Sequence, residues 1–129
     1  MAIRIIIADD HGVVAEGLKH VVETQPDMEV VSLAIDGREA VRQARELQPD
    51  VVLMDLSMPV MDGFEATRRL KATAAYRAVP IVAVTGLTDP GVINRAYAAG
   101  ICDYIAKPFK RNQLVDLVFK HLALATCEE

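Results

Sequence analysis

Val51-Val52-Leu53-Met54 is an apolar run without alternation, and it stops abruptly at Asp55. A strand wetted on one face alternates apolar and polar residues. Four successive apolar side chains instead need cover on both faces, as in a parallel sheet packed between helices. Such a sheet places Asp55 at a strand's carboxyl end, and in open α/β sheets the crevice beyond those ends is where ligands bind. A carboxylate that merely caps the following turn is the alternative, since Asp is favoured in turns for its side-chain hydrogen bonds.

The rest of the chain alternates in the same way. Ile3 to Ala8 is apolar except for Arg4 and ends in Asp9-Asp10. Val14, Leu18, Val21 and Val22 then recur at helical spacing from His11 to about Thr24, where Gln25-Pro26-Asp27 breaks the pattern. A second strand is predicted over Glu29 to Ile35. Asp36-Gly37-Arg38-Glu39 has the form of a capping box and opens a helix carrying Val41, Ala44 and Leu47, which Gln48-Pro49 ends. Asp62-Gly63-Phe64-Glu65 repeats that signal for a helix reaching about Ala74. The fourth strand is predicted over Val79 to Val84, ending at Thr85, with Pro80 near its start where a missing N–H does least harm. Asp89-Pro90 supplies a cap and an N1 proline for a helix to Gly100. Cys102 to Ala106 is the fifth strand, followed by Lys107-Pro108-Phe109 and a last helix with Leu114, Leu117, Val118 and Leu122.

Five strands alternating with five helices imply parallel strands joined by right-handed crossovers. The expected architecture is a single doubly wound five-stranded parallel sheet of order 2-1-3-4-5, flavodoxin-like, over residues 1–125, with a short tail at 126–129. That order sets the first and third strands side by side, so that Asp9, Asp10 and Asp55 meet at a topological switch point. Periodicity alone also permits a Rossmann-like order.

With 129 residues, the chain suits one core. Its formal net charge of -4 argues against the broad basic face of a nucleic-acid binder. No apolar run approaches a membrane span, and the segment after Met1-Ala2 lacks the parts of a signal peptide, so a cytoplasmic protein without membrane insertion is expected. Cys102 and Cys127 have no CxxC or Cys/His metal spacing and read as reduced, structural thiols.

Carboxylates gathered in one crevice repel, and protonation or a bound cation relieves them. Oxygen donors without cysteine or histidine favour Mg²⁺, which keeps coordination positions for a phosphoryl group. Thr85 and Lys107, at the ends of the fourth and fifth strands, add a hydroxyl donor and a positive charge to the same crevice. Together these groups suit phosphoryl chemistry, with Asp55 as a nucleophile that forms an acyl phosphate.

Asp9-Asp10, Met54-Asp55 with Met58-Pro59 and Asp62-Gly63, Thr85, and Tyr104 with Lys107-Pro108-Phe109 stand in the order of the receiver domains of two-component response regulators, which the chain resembles over nearly its whole length. The resemblance implies that Asp55 accepts a phosphoryl group from a phosphohistidine of a histidine kinase or histidine phosphotransfer domain. It also implies that Asp10, Asp55 and the Ser57 backbone carbonyl bind Mg²⁺ directly, while Asp9 acts through water. Lys107 then pairs with the phosphoryl oxygens, Thr85 moves toward them, Tyr104 turns inward, and the surface of the fourth helix, fifth strand and fifth helix changes. In the family the Lys-Pro bond is commonly cis. The partner surface it implies includes Val13, Val14, Gly17 and Pro108, and a homodimer through the fourth helix, fifth strand and fifth helix is one assembly the family uses. The last helix lacks the alternating charges typical of such dimers.

Gly86 stands where many receivers have alanine, leaving room for the phosphoryl group, while Ser57 and Leu87 sit where family members vary and tune dephosphorylation. Such a domain is not an enzyme beyond its own phosphorylation and dephosphorylation. A haloacid-dehalogenase-type phosphohydrolase would carry a second acid where Ser57 stands, and a flavodoxin-like nucleotide binder would carry a phosphate loop where the two acids stand. A receiver-like docking module independent of phosphorylation is a further alternative. With no output domain after the last helix, the chain reads as a stand-alone receiver or as a piece of a larger protein.

Overall fold

The computed structural model describes residues 2–86 and 88–127. In chain order the elements are β1 (Ile3–Ala8), α1 (Gly12–Glu23), β2 (Met28–Ala34), α2 (Gly37–Leu47), β3 (Val51–Met54), α3 (Gly63–Lys71), a 3-10 turn (Ala74–Tyr76), β4 (Ile81–Thr85), α4 (Pro90–Ala99), β5 (Asp103–Ala106) and α5 (Arg111–Cys127). The strands form one sheet of order β2-β1-β3-β4-β5, and the paired strands run parallel, as the alternation of strand and helix patterns predicts.

The apolar run of β3 is fully buried because its side chains serve two cores in turn. Val51 and Leu53 join Ile5, Ile7, Val82 and Val84 against α1 and α5. Val52 and Met54 point the other way, joining Ile6, Ile81 and Ala83 against α2, α3 and α4. A strand's period of two, with helices on both sides, turns a continuous apolar run into two half-runs. Arg4, the interruption in β1, is used at the sheet's opposite end. Its guanidinium donates to the carbonyls of Leu47 and Gln48, satisfying acceptors left over at the end of α2.

Several expected boundaries move. β2 starts and ends one residue earlier than predicted, β5 begins at Asp103 rather than Cys102, and β4 spans Ile81–Thr85 rather than Val79 to Val84. Pro80 precedes β4, where its carbonyl accepts from Val52 N at 3.0 Å. The third helix stops at Lys71, short of Ala74, and gives way to the 3-10 turn. Both Asp-Gly-x-Glu starts are capped as expected: Asp36 accepts from Glu39 N at 2.8 Å and Asp62 from Glu65 N at 2.9 Å. Asp89 is the N-cap residue of α4, but its side chain makes no capping bond, leaving Pro90 to set the start. Residues 126 and 127 of the expected tail fall within α5, while Glu128, Glu129 and Leu87 lie outside the described residues. No helix among the described residues is long and apolar enough to cross a membrane.

Two close backbone approaches fix the loop between β3 and α3. Gly37 N donates to Met61 O at 2.8 Å, and a Cβ on Gly37 would lie 2.2 Å from that oxygen. Gly63 N donates to Leu56 O at 3.1 Å, and a Cβ there would lie 2.2 Å from the backbone oxygen of Asp55. Neither position admits a side chain without movement of backbone. Between them, Val60 adopts φ 67, a left-handed conformation unusual for a β-branched residue.

Candidate functional site

The parallel register of β1 and β3 pairs Ala8 with Met54, so Asp9 and Asp55 follow as neighbours at the carboxyl edge. Backbone bonds hold both there: Asp55 N donates to Ala8 O at 2.8 Å and Asp9 N to Ala34 O at 2.9 Å. Asp9 is 2% exposed and Asp55 7% exposed, while Asp10 is half-buried. Ligand atoms of Asp9, Asp10, His11 and Asp55 all lie within 4.8 Å of one another. The expected meeting of Asp9, Asp10 and Asp55 therefore occurs.

His11 joins the acids, a member the sequence pattern did not single out. Its backbone N donates to Asp9 Oδ1 at 2.9 Å, and its ring Nδ1 lies 3.3 Å from Asp9 Oδ1 and 3.1 Å from Asp10 Oδ1. The adjacency of Asp9-Asp10-His11 was its one signal. His11 is also the N-cap residue of α1, with no side-chain capping bond. The N-cap position thus belongs to neither acid, although Asp9 Oδ1 takes the backbone N–H of the N-cap residue.

Lys107 Nζ donates to Asp9 Oδ2 at 3.2 Å, and its backbone N donates to Thr85 O at 2.8 Å. The lysine thus reaches the acidic cluster from β5. Thr85 is buried at the end of β4, and Gly86 beside it is exposed, with open space where a Cβ would stand. The Lys107-Pro108 bond is cis. Tyr104 is half-buried and meets Tyr97 edge-on, with ring centroids 6.4 Å apart. Ser57 N donates to Asp55 Oδ1 at 3.4 Å, and the Ser57 side chain is exposed. Val13, Val14, Gly17 and Pro108 are exposed, Val13 at 89%.

Burial pushes the Asp55 carboxyl above the ordinary aspartate range; Lys107 opposes this, Asp9 adds to it, the Ser57 N–H opposes it, and Asp10 adds to it. A cation would reverse that balance. The donor set fits a hard divalent ion: carboxylate oxygens converge, and Asp10 Oδ1 is buried without a hydrogen-bond partner. His11 Nδ1 is near that oxygen but not in hydrogen-bonding geometry, so the short distance does not satisfy it.

Beside β5 a second cluster links three elements. Asp103 accepts from Tyr104 N at 2.8 Å and from the Tyr97 hydroxyl at 3.4 Å, and its Oδ2 lies 3.0 Å from Nε2 of the buried His121. Lys120 Nζ stands 3.6 Å from the same oxygen. Burial favours the neutral acid, but the bonds from His121 and Tyr104 N and the charges of His121 and Lys120 outweigh it and lower the Asp103 carboxyl.

Residues 5–119 match the family model described as response regulator receiver domain. The chain is 40% identical over 108 residues to protein-glutamate methylesterase/protein-glutamine glutaminase 2 of Carboxydothermus hydrogenoformans, covering 82% of this chain and 30% of that protein. It is 37% identical over 120 residues to response regulator protein VraR of Staphylococcus epidermidis, covering 93% of this chain and 56% of that protein. It therefore spans roughly a third to somewhat over half of these relatives' lengths. Among solved structures it resembles the receiver domain of a Pseudomonas aeruginosa sensor histidine kinase, which has a magnesium ion coordinated in its active-site cleft. That match has a TM-score of 0.88 at 33% identity, covering 95% of this chain and 99% of that one. The response regulator domain of Thermotoga maritima CheB matches with a TM-score of 0.86 at 32% identity, covering 95% and 98% of the two chains.

Proposed function

This chain belongs to the response regulator receiver domain family, and we propose that Asp55 is its phosphoacceptor, loaded from a phosphohistidine of a histidine kinase or histidine phosphotransfer domain in a Mg²⁺-dependent step. The observation that carries this is the convergence of buried Asp55 with Asp9, Asp10 and Lys107. An Asp55 oxygen attacks phosphorus, the P–N bond breaks with its electron pair left on the imidazole, and an acyl phosphate forms. Asp10, Asp55 and the Ser57 backbone carbonyl would hold Mg²⁺, with Asp9 acting through water. When bound, the ion supplies positive charge to the phosphoryl oxygens.

Lys107, held here on Asp9, exchanges that carboxylate for a phosphoryl oxygen. Thr85 donates its hydroxyl from the end of β4, and exposed Gly86 leaves room for the group. The new charge and acceptor oxygens shift a two-state surface of α4, β5 and α5, with Tyr104 as the moving aromatic. Tyr97 on α4 and Phe119 on α5 are large exposed apolar residues, which supports that surface as the site of output or of a homodimer. Val13, Val14, Gly17 and Pro108 supply the face that meets the phosphodonor. Ser57, where a phosphohydrolase of this kind would carry a second acid, favours a switch over turnover.

Intact-mass analysis after incubation with acetyl phosphate, with and without Mg²⁺, tests the proposal. A single phosphoryl adduct that needs Mg²⁺ and vanishes in Asp55→Asn is expected. An adduct that persists in Asp55→Asn would place the phosphoacceptor elsewhere. Failure to form any adduct, together with failure to bind Mg²⁺ and fluoroberyllate, would leave a phosphorylation-independent docking module.

A further inference from the structure

Between α2 and α3 lies an open cleft of about 720 Å³, lined by a different set of side chains from the acidic cluster. α2 lines it with Arg38, Arg42 and Arg45, and α3 contributes Arg69. The three α2 positions fall at i, i+4 and i+7 on one helix face, spreading guanidinium groups along roughly 10 Å of groove. Exposed arginines usually pair with nearby acids or are simply solvated. Here the pairing is incomplete: Arg42 reaches Glu46 at 4.0 Å and Arg69 bonds Glu65 at 3.1 Å, whereas Arg38 and Arg45 have no carboxylate within ion-pair distance among the described residues. In a chain of net charge -4, four of the 14 basic residues therefore converge on one concavity.

The remaining lining narrows the ligand class. Half-buried Met61 gives the cleft its apolar surface, to which Val41, 6% exposed, adds little. Asp36, Glu39 and Glu46 form an acidic edge, which disfavours a bare anion but can accept from amino or hydroxyl groups. Asp36 Oδ1 already accepts from Glu39 N, and Glu39 Oε1 from Gln43 Nε2, so each carboxylate keeps one further oxygen for a ligand. Guanidinium forks bind phosphates in paired hydrogen bonds, while a methionine accepts the face of a flat ring. The volume lies within the roughly 300 to 1,000 Å³ of small-molecule sites. We infer that this cleft binds a nucleotide, with phosphates on the arginines, the base over Met61, and the acidic edge toward its amino and hydroxyl groups.

The test uses the whole chain in EDTA, so that divalent ions do not recruit phosphates to the aspartates. ATP, GTP, adenosine and tripolyphosphate are titrated by calorimetry, with amide shifts mapped on the labelled protein. ATP or GTP is expected to bind saturably and to shift amides of residues 37–46 and Met61. Adenosine and tripolyphosphate should each bind at least about tenfold more weakly, because each uses half of the cleft. The Arg38→Gln/Arg45→Gln variant should lose at least about tenfold in affinity with an unchanged circular dichroism spectrum. The inference is overturned by lack of saturable nucleotide binding at millimolar concentration, by shifts confined to other elements, by tripolyphosphate matching the nucleotides, or by undiminished binding in the double variant. None of these readouts depends on the chemistry of Asp55.

Discussion

Replacing Gly63 by alanine tests how tightly the strand end that carries Asp55 is held. The added Cβ would lie 2.2 Å from the Asp55 backbone oxygen and 2.9 Å from Leu56 Cα. Relieving that overlap needs roughly 1 Å of movement between the start of α3 and the end of β3, since unstrained heavy-atom contacts begin well beyond 3 Å. Both neighbours are backbone atoms, so no side chain can swing aside. Overpacking of this kind costs about 1–3 kcal/mol. With a urea slope of about 1–3 kcal/mol per molar, the unfolding midpoint should fall by roughly 1 M. Because the displaced segment includes Asp55 itself, the rate of phosphorylation from acetyl phosphate should fall more steeply, by up to about a hundredfold for an ångström-scale misplacement. Gly17→Ala supplies the contrast. Gly17 is exposed within α1 with open space about its Cβ, so the same substitution there should stabilise by about 0.5–1 kcal/mol and leave the rate with acetyl phosphate, which needs no protein docking face, unchanged. A Gly63→Ala protein that unfolds at the wild-type midpoint and phosphorylates at the wild-type rate would refute the close approach.

In chelator, Asp55→Asn should be more stable than wild type, because burial and Asp9 both disfavour the ionised carboxylate; Mg²⁺ should narrow the difference, as read by thermal unfolding with and without the ion. Asp103→Asn should destabilise at neutral pH. Its carboxyl is lowered in the folded state, so its contribution is present above the ordinary aspartate value near 3.8 and is lost as pH falls through the lowered value; urea midpoints of variant and wild type should converge in strong acid. Val60→Gly should stabilise by about 0.5–1 kcal/mol, because a valine at φ 67 pays a steric cost that glycine does not, partly offset by glycine's greater freedom when unfolded. An unchanged or lower melting temperature for Val60→Gly would argue against strain at that position.

Much of the fold was legible because each part announces itself locally. The unbroken β3 run required two covered faces, and the two Asp-Gly-x-Glu starts named their own caps, which the Asp36 and Asp62 hydrogen bonds repeat. Asp9, Asp10 and Asp55 could be brought together because strand ends in one parallel sheet share an edge. What escaped depends on contacts between residues distant in sequence. His121 meets Asp103 across 18 residues, set by the angle at which α5 returns over β5, and no spacing rule encodes that angle. Lys107 rests on Asp9, a preference decided by side-chain reach within the crevice. Gly37 and Gly63 matter for the absence of a side chain, and their Asp-Gly context reads equally well as simple helix starts. At Asp89 the pattern supplied a capping residue whose backbone takes the cap position without the side-chain bond.

Gly37 and Gly63 clamp the loop from Ser57 to Asp62 at both ends, while Ser57, Pro59 and Val60 project into solvent. The exposed side chains of Ser57 and Val60 are thereby uncoupled from its path. Substitutions at the exposed positions can alter what approaches Asp55 without relocating the carboxylate, whereas adding or deleting a residue would have to break one of the two backbone approaches. Ser57 and Val60 should accordingly be free to vary during divergence while the segment holds its length, like panes exchanged within a fixed frame.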